Sequence, residues 1–319
     1  MKATGWVRLW KLAQLLIIAI ALFWAARKIA QQWDALRASL SSMSVHWLWI
    51  VLASAIVLFT YGMLIQSWRL LLADWGSPLR FSAAMRIWTI ANLGRYVPGK
   101  VWSVGALGVL AGREGVSGIS AAGAAILGTL LNIGAGFGII AISGTRVLGV
   151  FKPWLRDAAL AVSVVFVIGT LCLPRLLPPI LERLARWRGL PMPERHLSAR
   201  VLWISTAMNV ASWALYGIAF AAFARGVAPQ VIASPPLFIV IWTASYLSGY
   251  LVLLVPGGIG VREVVMASAL VALGLAGSAD ATVLALSSRL WLTVWEILPG
   301  VTALLLSPGA ARDLTRRRS

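Results

Sequence analysis

Apolar residues in this chain gather into long blocks instead of alternating with polar ones. The stretches 47–65, 118–142, 158–173, 201–224 and 237–255 are each close to the ~20 residues that carry a helix across a bilayer core. Gly and Pro lie inside or beside these blocks, as lipid-embedded helices tolerate. The pattern predicts an all-α integral membrane protein with six full spans, near 10–30, 47–72, 118–142, 156–174, 200–224 and 281–306. The first apolar run, 12–26, follows Lys2, Arg8 and Lys11 and so resembles a signal peptide. Because more spans come after it, the run reads as an uncleaved first helix.

Two further apolar pairs are interrupted at Pro-Gly. The first, 81–93 and 101–111, is broken by the segment from Gly94 to Lys100. At ~1.5 Å per residue its arms reach only about 20 and 16 Å, short of the ~30 Å core. Such arms predict a re-entrant hairpin, which is permitted where irregular backbone is buried in protein or lines a water-filled cavity. The second pair, 237–254 and 261–275, is broken at Pro256-Gly257-Gly258. Its first arm is nearly long enough to span, so two full spans are the alternative there, with the overall parity unchanged.

This layout holds an internal repeat, in which the order span, span, hairpin, span occurs in 10–142 and again in 156–306. Around the hairpins Ile87-Trp88-Thr89, Leu93 and Tyr96 match Ile241-Trp242-Thr243, Leu247 and Tyr250 at a constant offset of 154. After a four-residue insertion, Val97-Pro98-Gly99 matches Val255-Pro256-Gly257. Three crossings in the first half would bring the second half in inverted, with the hairpins dipping from opposite sides. The alternative is coincidence between Trp-rich apolar segments.

Composition narrows the class further. Of 319 residues 60% are hydrophobic and 12% charged, about half the charge a soluble surface needs, so 1–319 reads as one polytopic membrane domain ending in a basic tail, 307–319. Net charge is +18. In a soluble protein that points to nucleic acid; here the basic residues cluster in short loops and at block ends, so topology and anionic lipid head groups account for them and no nucleic-acid partner is expected. With the N-terminus inside, 16 Lys and Arg fall on the cytoplasmic side, seven outside and five in the interrupted or intramembrane segments. The expected location is therefore the cytoplasmic (inner) membrane, multi-pass, with both termini in the cytoplasm. Many of the seventeen Trp sit near block ends, where indole prefers the interface. Cys172 is the only cysteine, and His46 and His196 lie in loops, so neither a disulfide nor a metal or other cofactor is expected.

Few polar residues remain to carry chemistry. The first tip holds Asn92, Arg95, Tyr96, Pro98, Gly99 and Lys100. Pro-Gly between apolar arms opens the backbone; with Arg95 and Lys100 beside it, the loop can receive an anion such as a lipid phosphate. The plainer reading is a loop whose basic residues snorkel to the interface. The second tip, Pro256-Gly257-Gly258-Ile259-Gly260-Val261-Arg262-Glu263, predicts a tight turn before a helix, and it is no P-loop because the Lys-Ser/Thr ending is missing. Arg262 and Glu263, if deep, each cost roughly 2.5–3.5 kcal/mol unless paired or hydrated; a shallow, wet tip is the alternative. On the last span Arg289 and Glu296 stand seven residues apart on one face. Glu296 with Arg262, or Arg289 with Glu263, would tie this helix to the hairpin, either as a structural ion pair or beside a substrate. Asn132, Asn209 and Gln66 read as interhelical hydrogen-bonding residues. No nucleophile elbow, paired-carboxylate motif or Cys/His cluster stands out, so a catalytic role has no support in the residues.

The run Arg95-Tyr96-Val97-Pro98-Gly99-Lys100-Val101-Trp102, together with Pro-Gly-Gly-x-Gly-x-x-Glu at 256–263 and Arg289 on the last span, resembles the flippase-like, lysylphosphatidylglycerol synthase transmembrane-domain family over about 10–306. Trp102-Ser103 stands where relatives commonly carry Gly-Glu, and 118–142 lacks the glutamate many of them have. The soluble aminoacyltransferase domain of the multiple peptide resistance factors is absent from this sequence. The resemblance implies a lipid translocase that moves an anionic, aminoacylated or glycosylated lipid between leaflets. Arg95, Lys100, Arg262, Glu263, Arg289, Glu296, Asn92 and Tyr96 would form the site at the hairpin breaks Pro98, Gly99, Pro256, Gly257, Gly258 and Gly260. Two other classes stay open: an accessory subunit or polyprenyl-lipid-dependent glycosyltransferase of envelope biosynthesis, and a small-solute secondary transporter. Expected partners are membrane lipids, anionic or linked to sugar.

Overall fold

Among the described residues, four helices are long and apolar enough to cross a membrane, and two pairs of shorter helices are wedged among them. The computed structural model describes residues 45–96, 101–144, 197–252 and 256–306, with scattered helical residues between 154 and 183. The expected span at 10–30, the tail 307–319 and the tip residues Val97, Pro98, Gly99 and Lys100 lie outside the described residues, and the expected span at 156–174 is described only in part. In chain order the helices are α1 (Trp47–Asp74), α2 (Phe81–Asn92), α3 (Val101–Arg113), α4 (Gly118–Ser143), α5 (Ala199–Val227), α6 (Pro235–Leu251), α7 (Val261–Ala272) and α8 (Ser278–Leu305). A 3-10 turn, Leu93–Tyr96, follows α2, and another, Pro256–Gly258, precedes α7. Among the described residues there is no strand.

Local chemistry sets the ends. Ser117 accepts a hydrogen bond from the Ser120 N–H and Ser198 from the Val201 N–H, capping α4 and α5. Pro235 opens α6, where a missing N–H costs nothing. The long helices α1, α4, α5 and α8 match four of the six expected spans to within a few residues. At ~1.5 Å per residue the arms of the first pair measure about 18 and 20 Å and those of the second about 26 and 18 Å. Every arm is thus shorter than the ~30 Å core, the first arm of the second pair coming nearest to it.

The two halves meet along α1 and α5, which run antiparallel. At one end the His46 N–H donates to the Gly226 carbonyl, 2.9 Å. At the other, Asp74 accepts from the Ser198 N–H at 2.5 Å and from its hydroxyl at 3.2 Å. Small hydroxyl residues keep this seam tight: Ser54, Thr60 and Thr206 each return a hydrogen bond to the carbonyl four residues back in their own helix.

From the Asp74 end the chain turns into α2, and from the Gly226 end into α6. The helix pairs α2–α3 and α6–α7 therefore enter from opposite ends of the seam, and their tips touch. Exchanging the two halves maps many of the packing partners onto one another: α2–α3 onto α6–α7, α3–α4 onto α7–α8, and α2–α8 onto α6–α4. One hydrophobic core, built on Leu71, Leu72, Ile87 and Leu131, surrounds the first pair. The other, built on Phe220, Trp242, Met266 and Leu284, surrounds the second.

Candidate functional site

The meeting point of the tips is irregular because three glycines adopt left-handed backbone: Gly257, Gly258 and Gly260 have φ of +60°, +68° and +86°. A Cβ on Gly258 would also stand 2.6 Å from the carbonyl oxygen of Gly249, so the arms α6 and α7 approach backbone to backbone there. Glu263, in the first turn of α7, reaches back to accept the Gly260 N–H at 2.5 Å. This is half of a capping box, since a glycine N-cap has no side chain to return the bond. The three glycines and the glutamate of the Pro-Gly-Gly-x-Gly-x-x-Glu pattern thereby form a turn with its own helix cap.

Charged residues from three elements converge on this turn. Arg289 of α8 donates from Nη2 to the Gly257 carbonyl at 2.9 Å, and its Nε lies 3.5 Å from the Glu263 carboxylate. The expected pairing of Arg289 with Glu263 is therefore present. The expected pairing of Glu296 with Arg262 is not. Glu296, two turns further along α8, has reached the level of the first tip, where Arg95 Nη1 donates to it at 2.5 Å and the Tyr96 hydroxyl donates to its other oxygen. Arg95 also donates to Asn92 and, at 3.2 Å, to the Tyr246 hydroxyl. Asn92, Arg95, Tyr96 and Glu296 thus form one bonded group and Glu263 and Arg289 another, a two-part knot in which α8 reaches both tips.

Arg262 stands apart from the knot. It is 3% exposed, and neither terminal nitrogen has a hydrogen-bond partner among the described residues. Its guanidinium lies over the Trp242 ring at 4.2 Å and the Tyr246 ring at 4.8 Å. Two such contacts are worth up to about 2 kcal/mol each when desolvated, against several kcal/mol for burying an ion. A guanidinium held this way keeps unmet bonding capacity for an anion.

Arg262 is among the residues that line a cavity of about 210 Å³. Arg262, Arg289, Gly257 and Glu296 stand at its inner end, and Trp68, Leu107 and Ala124 line it towards the Asp74–Ser198 end of the molecule. Asn132 and Asn209 lie on the wall; Asn132 donates to Asn209 at 2.9 Å, and Asn209 to Ser67 at 3.2 Å, so they do join α4, α5 and α1. Among the described residues Gln66 shows no such bond: it accepts from Arg69 one turn on in its own helix, at 2.9 Å. Lys100, Pro98 and Gly99 lie outside the described residues. Sequence reasoning missed the Trp242–Tyr246 platform, although their four-residue spacing puts both rings on one face of α6.

The sequence model of the family described as the lysylphosphatidylglycerol synthase TM region matches residues 11–300, and the chain belongs to that family. Comparison with curated proteins gave no match.

Proposed function

We propose, with that family membership as premise, that the chain is a lipid translocase of the cell envelope that carries an anionic head group through the cavity between its hairpin tips. The observation that carries the reading is Arg262, a buried cation on the lining of a cavity, with no hydrogen-bond partner for its terminal nitrogens among the described residues. Phosphate oxygens offer such a fork a charge-assisted, bidentate partner. A volume of about 210 Å³ is below the roughly 300–1,000 Å³ of pockets that enclose a whole drug-sized ligand. It suits a head group alone, with the acyl chains left in the bilayer.

The antiparallel α1–α5 seam, the opposite entry of the short pairs and the matching packing partners support an inverted repeat. Two-fold-related halves of this kind give alternating access by rocking one half against the other. The basic count puts the Asp74–Ser198 end, and with it the cavity, on the cytoplasmic side, together with both termini.

Purified protein in liposomes is expected to move fluorescent phosphatidylglycerol between leaflets, and Arg262→Ala to slow it about tenfold or more, with the variant's fold checked by gel filtration. Equal rates for the two proteins refute the reading. Sugar transfer from an added donor, or uptake of a soluble solute with no lipid movement, replaces it with an enzyme or a solute transporter.

A further inference from the structure

Tyr246 touches an arginine from each of the two hairpins. It sits on α6, and its ring lies beneath the Arg262 guanidinium of α7, whose Cζ is 4.8 Å from the ring centroid. Its hydroxyl oxygen accepts from Nη1 of Arg95, on the first tip, at 3.2 Å. Arg95, Tyr246 and Arg262 all belong to the cavity lining. Trp213 of α5 holds the ring from a third side, meeting it nearly edge-on with centroids 5.5 Å apart and planes at 76°. Trp213 is itself fixed, because its Nε1 donates to the Asn132 carbonyl at 2.8 Å.

A phenol hydroxyl has one hydrogen to give and lone pairs with which to accept. Here a lone pair takes the Arg95 N–H, and the hydroxyl hydrogen has no acceptor among the described residues. Accepting a bond from a cation polarises the O–H and makes it a better donor. Arg95 is aimed by bonds to Asn92 of α2 and Glu296 of α8 as well as to Tyr246. The Arg262 fork, whose terminal nitrogens lack a partner among the described residues, lies over the same ring. One phosphate accepting bonds of about 2.7–2.9 Å from each can bridge fork and hydroxyl. If the platform were the whole role of Tyr246, a phenylalanine ring would serve as well.

We infer that the Tyr246 hydroxyl is a second donor to the head-group phosphate, acting beside Arg262, and that Arg95 polarises and aims it. The inference rests on the translocase reading for its setting and deepens it, adding one residue that touches the ligand and one that positions it. The bond between Arg95 and Tyr246, which crosses from one half of the chain to the other, thereby gains a part in binding.

The test is binding to the full chain in detergent, with dioctanoyl phosphatidylglycerol and inorganic phosphate as probes. Tyr246→Phe removes one oxygen and keeps the ring under Arg262, and the variant is expected to elute from gel filtration as the native chain does. Its affinity for the lipid should fall about tenfold, the scale of a lost hydrogen bond to a charged group. The phosphorus NMR resonance of the bound lipid should move as well, because the phosphate loses a donor. Independently of any variant, the infrared C–O stretch of ring-labelled tyrosine in the native chain should shift when the lipid binds. Native affinity in Tyr246→Phe overturns the inference, and so does an unshifted tyrosine band. A weakened affinity with an unmoved phosphorus resonance overturns it too, since Tyr246 would then only support the fold. Failure of the native chain to bind either probe removes this inference and the translocase reading together. A tenfold loss without leaflet exchange in liposomes, or inorganic phosphate binding as tightly as the lipid, sinks the translocase reading and leaves the two donors standing. Leaflet exchange that Arg262→Ala slows and Tyr246→Phe does not sinks this inference alone.

Discussion

The described helices at the two ends of this molecule have corresponding packing partners, and the space among them is filled differently. Towards the His46–Gly226 end, aromatic rings close the space: Phe220 against Phe238 at 5.5 Å, Phe223 stacked on Trp291 at 4.7 Å, and Phe220 on Trp242 at 5.2 Å. Trp291 and Trp295 both donate to Ser54 there, at 3.0 and 2.9 Å. Towards the Asp74–Ser198 end the corresponding space is the cavity, walled by small residues such as Ala124, Ala125 and Gly128. Helix α4 supplies much of that wall and carries no charge along its length, whereas its counterpart α8 carries Arg289 and Glu296. Aromatic rings thus fill one end, and a cavity lined by small residues and by charged ones such as Arg289 and Glu296 occupies the other.

The comparison can be broken most severely at its midpoint. Glu296→Ala leaves Arg95 without its counter-ion, and removal of one member of a buried ion pair costs about 3–5 kcal/mol; unfolding in detergent should register that loss. A smaller and sharper contrast uses two glycines. A Cβ on Gly217, at the sealed end, would stand 2.3 Å from the Ile239 Cα, so Gly217→Ala should cost about 1–3 kcal/mol by overpacking. At Gly128, on the cavity wall, the nearest atom is a Leu71 methyl at 3.8 Å, and Gly128→Ala should stay within about 0.5 kcal/mol of the native stability. Equal effects would mean that the two ends are equally packed.

Thiol chemistry reads the same contrast. In a Cys172→Ser background, Val104→Cys on the cavity lining should react with a water-soluble maleimide at least about tenfold faster than Ala285→Cys in the sealed core. The smallest effect is expected at the rim. Asp74→Ala removes the acceptor for the Ser198 N–H and should cost about 1 kcal/mol, on the scale of a lost helix cap. A shift in the Val104→Cys labelling rate on that background would show that the rim bond also restrains the opening.

Much of this was legible in the chain itself. Blocks near twenty residues and the Pro-Gly interruptions gave four of the spans and both short pairs, because hydrocarbon thickness imposes length directly on sequence. The pairing of Arg289 with Glu263 was legible for a similar reason, since both residues sit close to the same turn. Glu296 was different. Its partner Arg95 is 201 residues away, and nothing in the apolar pattern tells which face of α8 meets which tip. The pattern records that a helix is buried and not what it is buried against, and so it also left Arg262 on its aromatic platform unseen. Gln66 went wrong through the opposite error, a local partner three residues along its own helix having been passed over for a distant one.

Helix α8 holds both tips at once. Arg289 grips the second tip at the Gly257 carbonyl, and Glu296, two turns away, grips the first through Arg95 and Tyr96. Any sliding or turning of that helix, which carries Pro299 just beyond Glu296, must pull on both gripped loops in the same stroke. The molecule in this respect resembles a canal lock worked by a single beam, with one gate's position setting the other's.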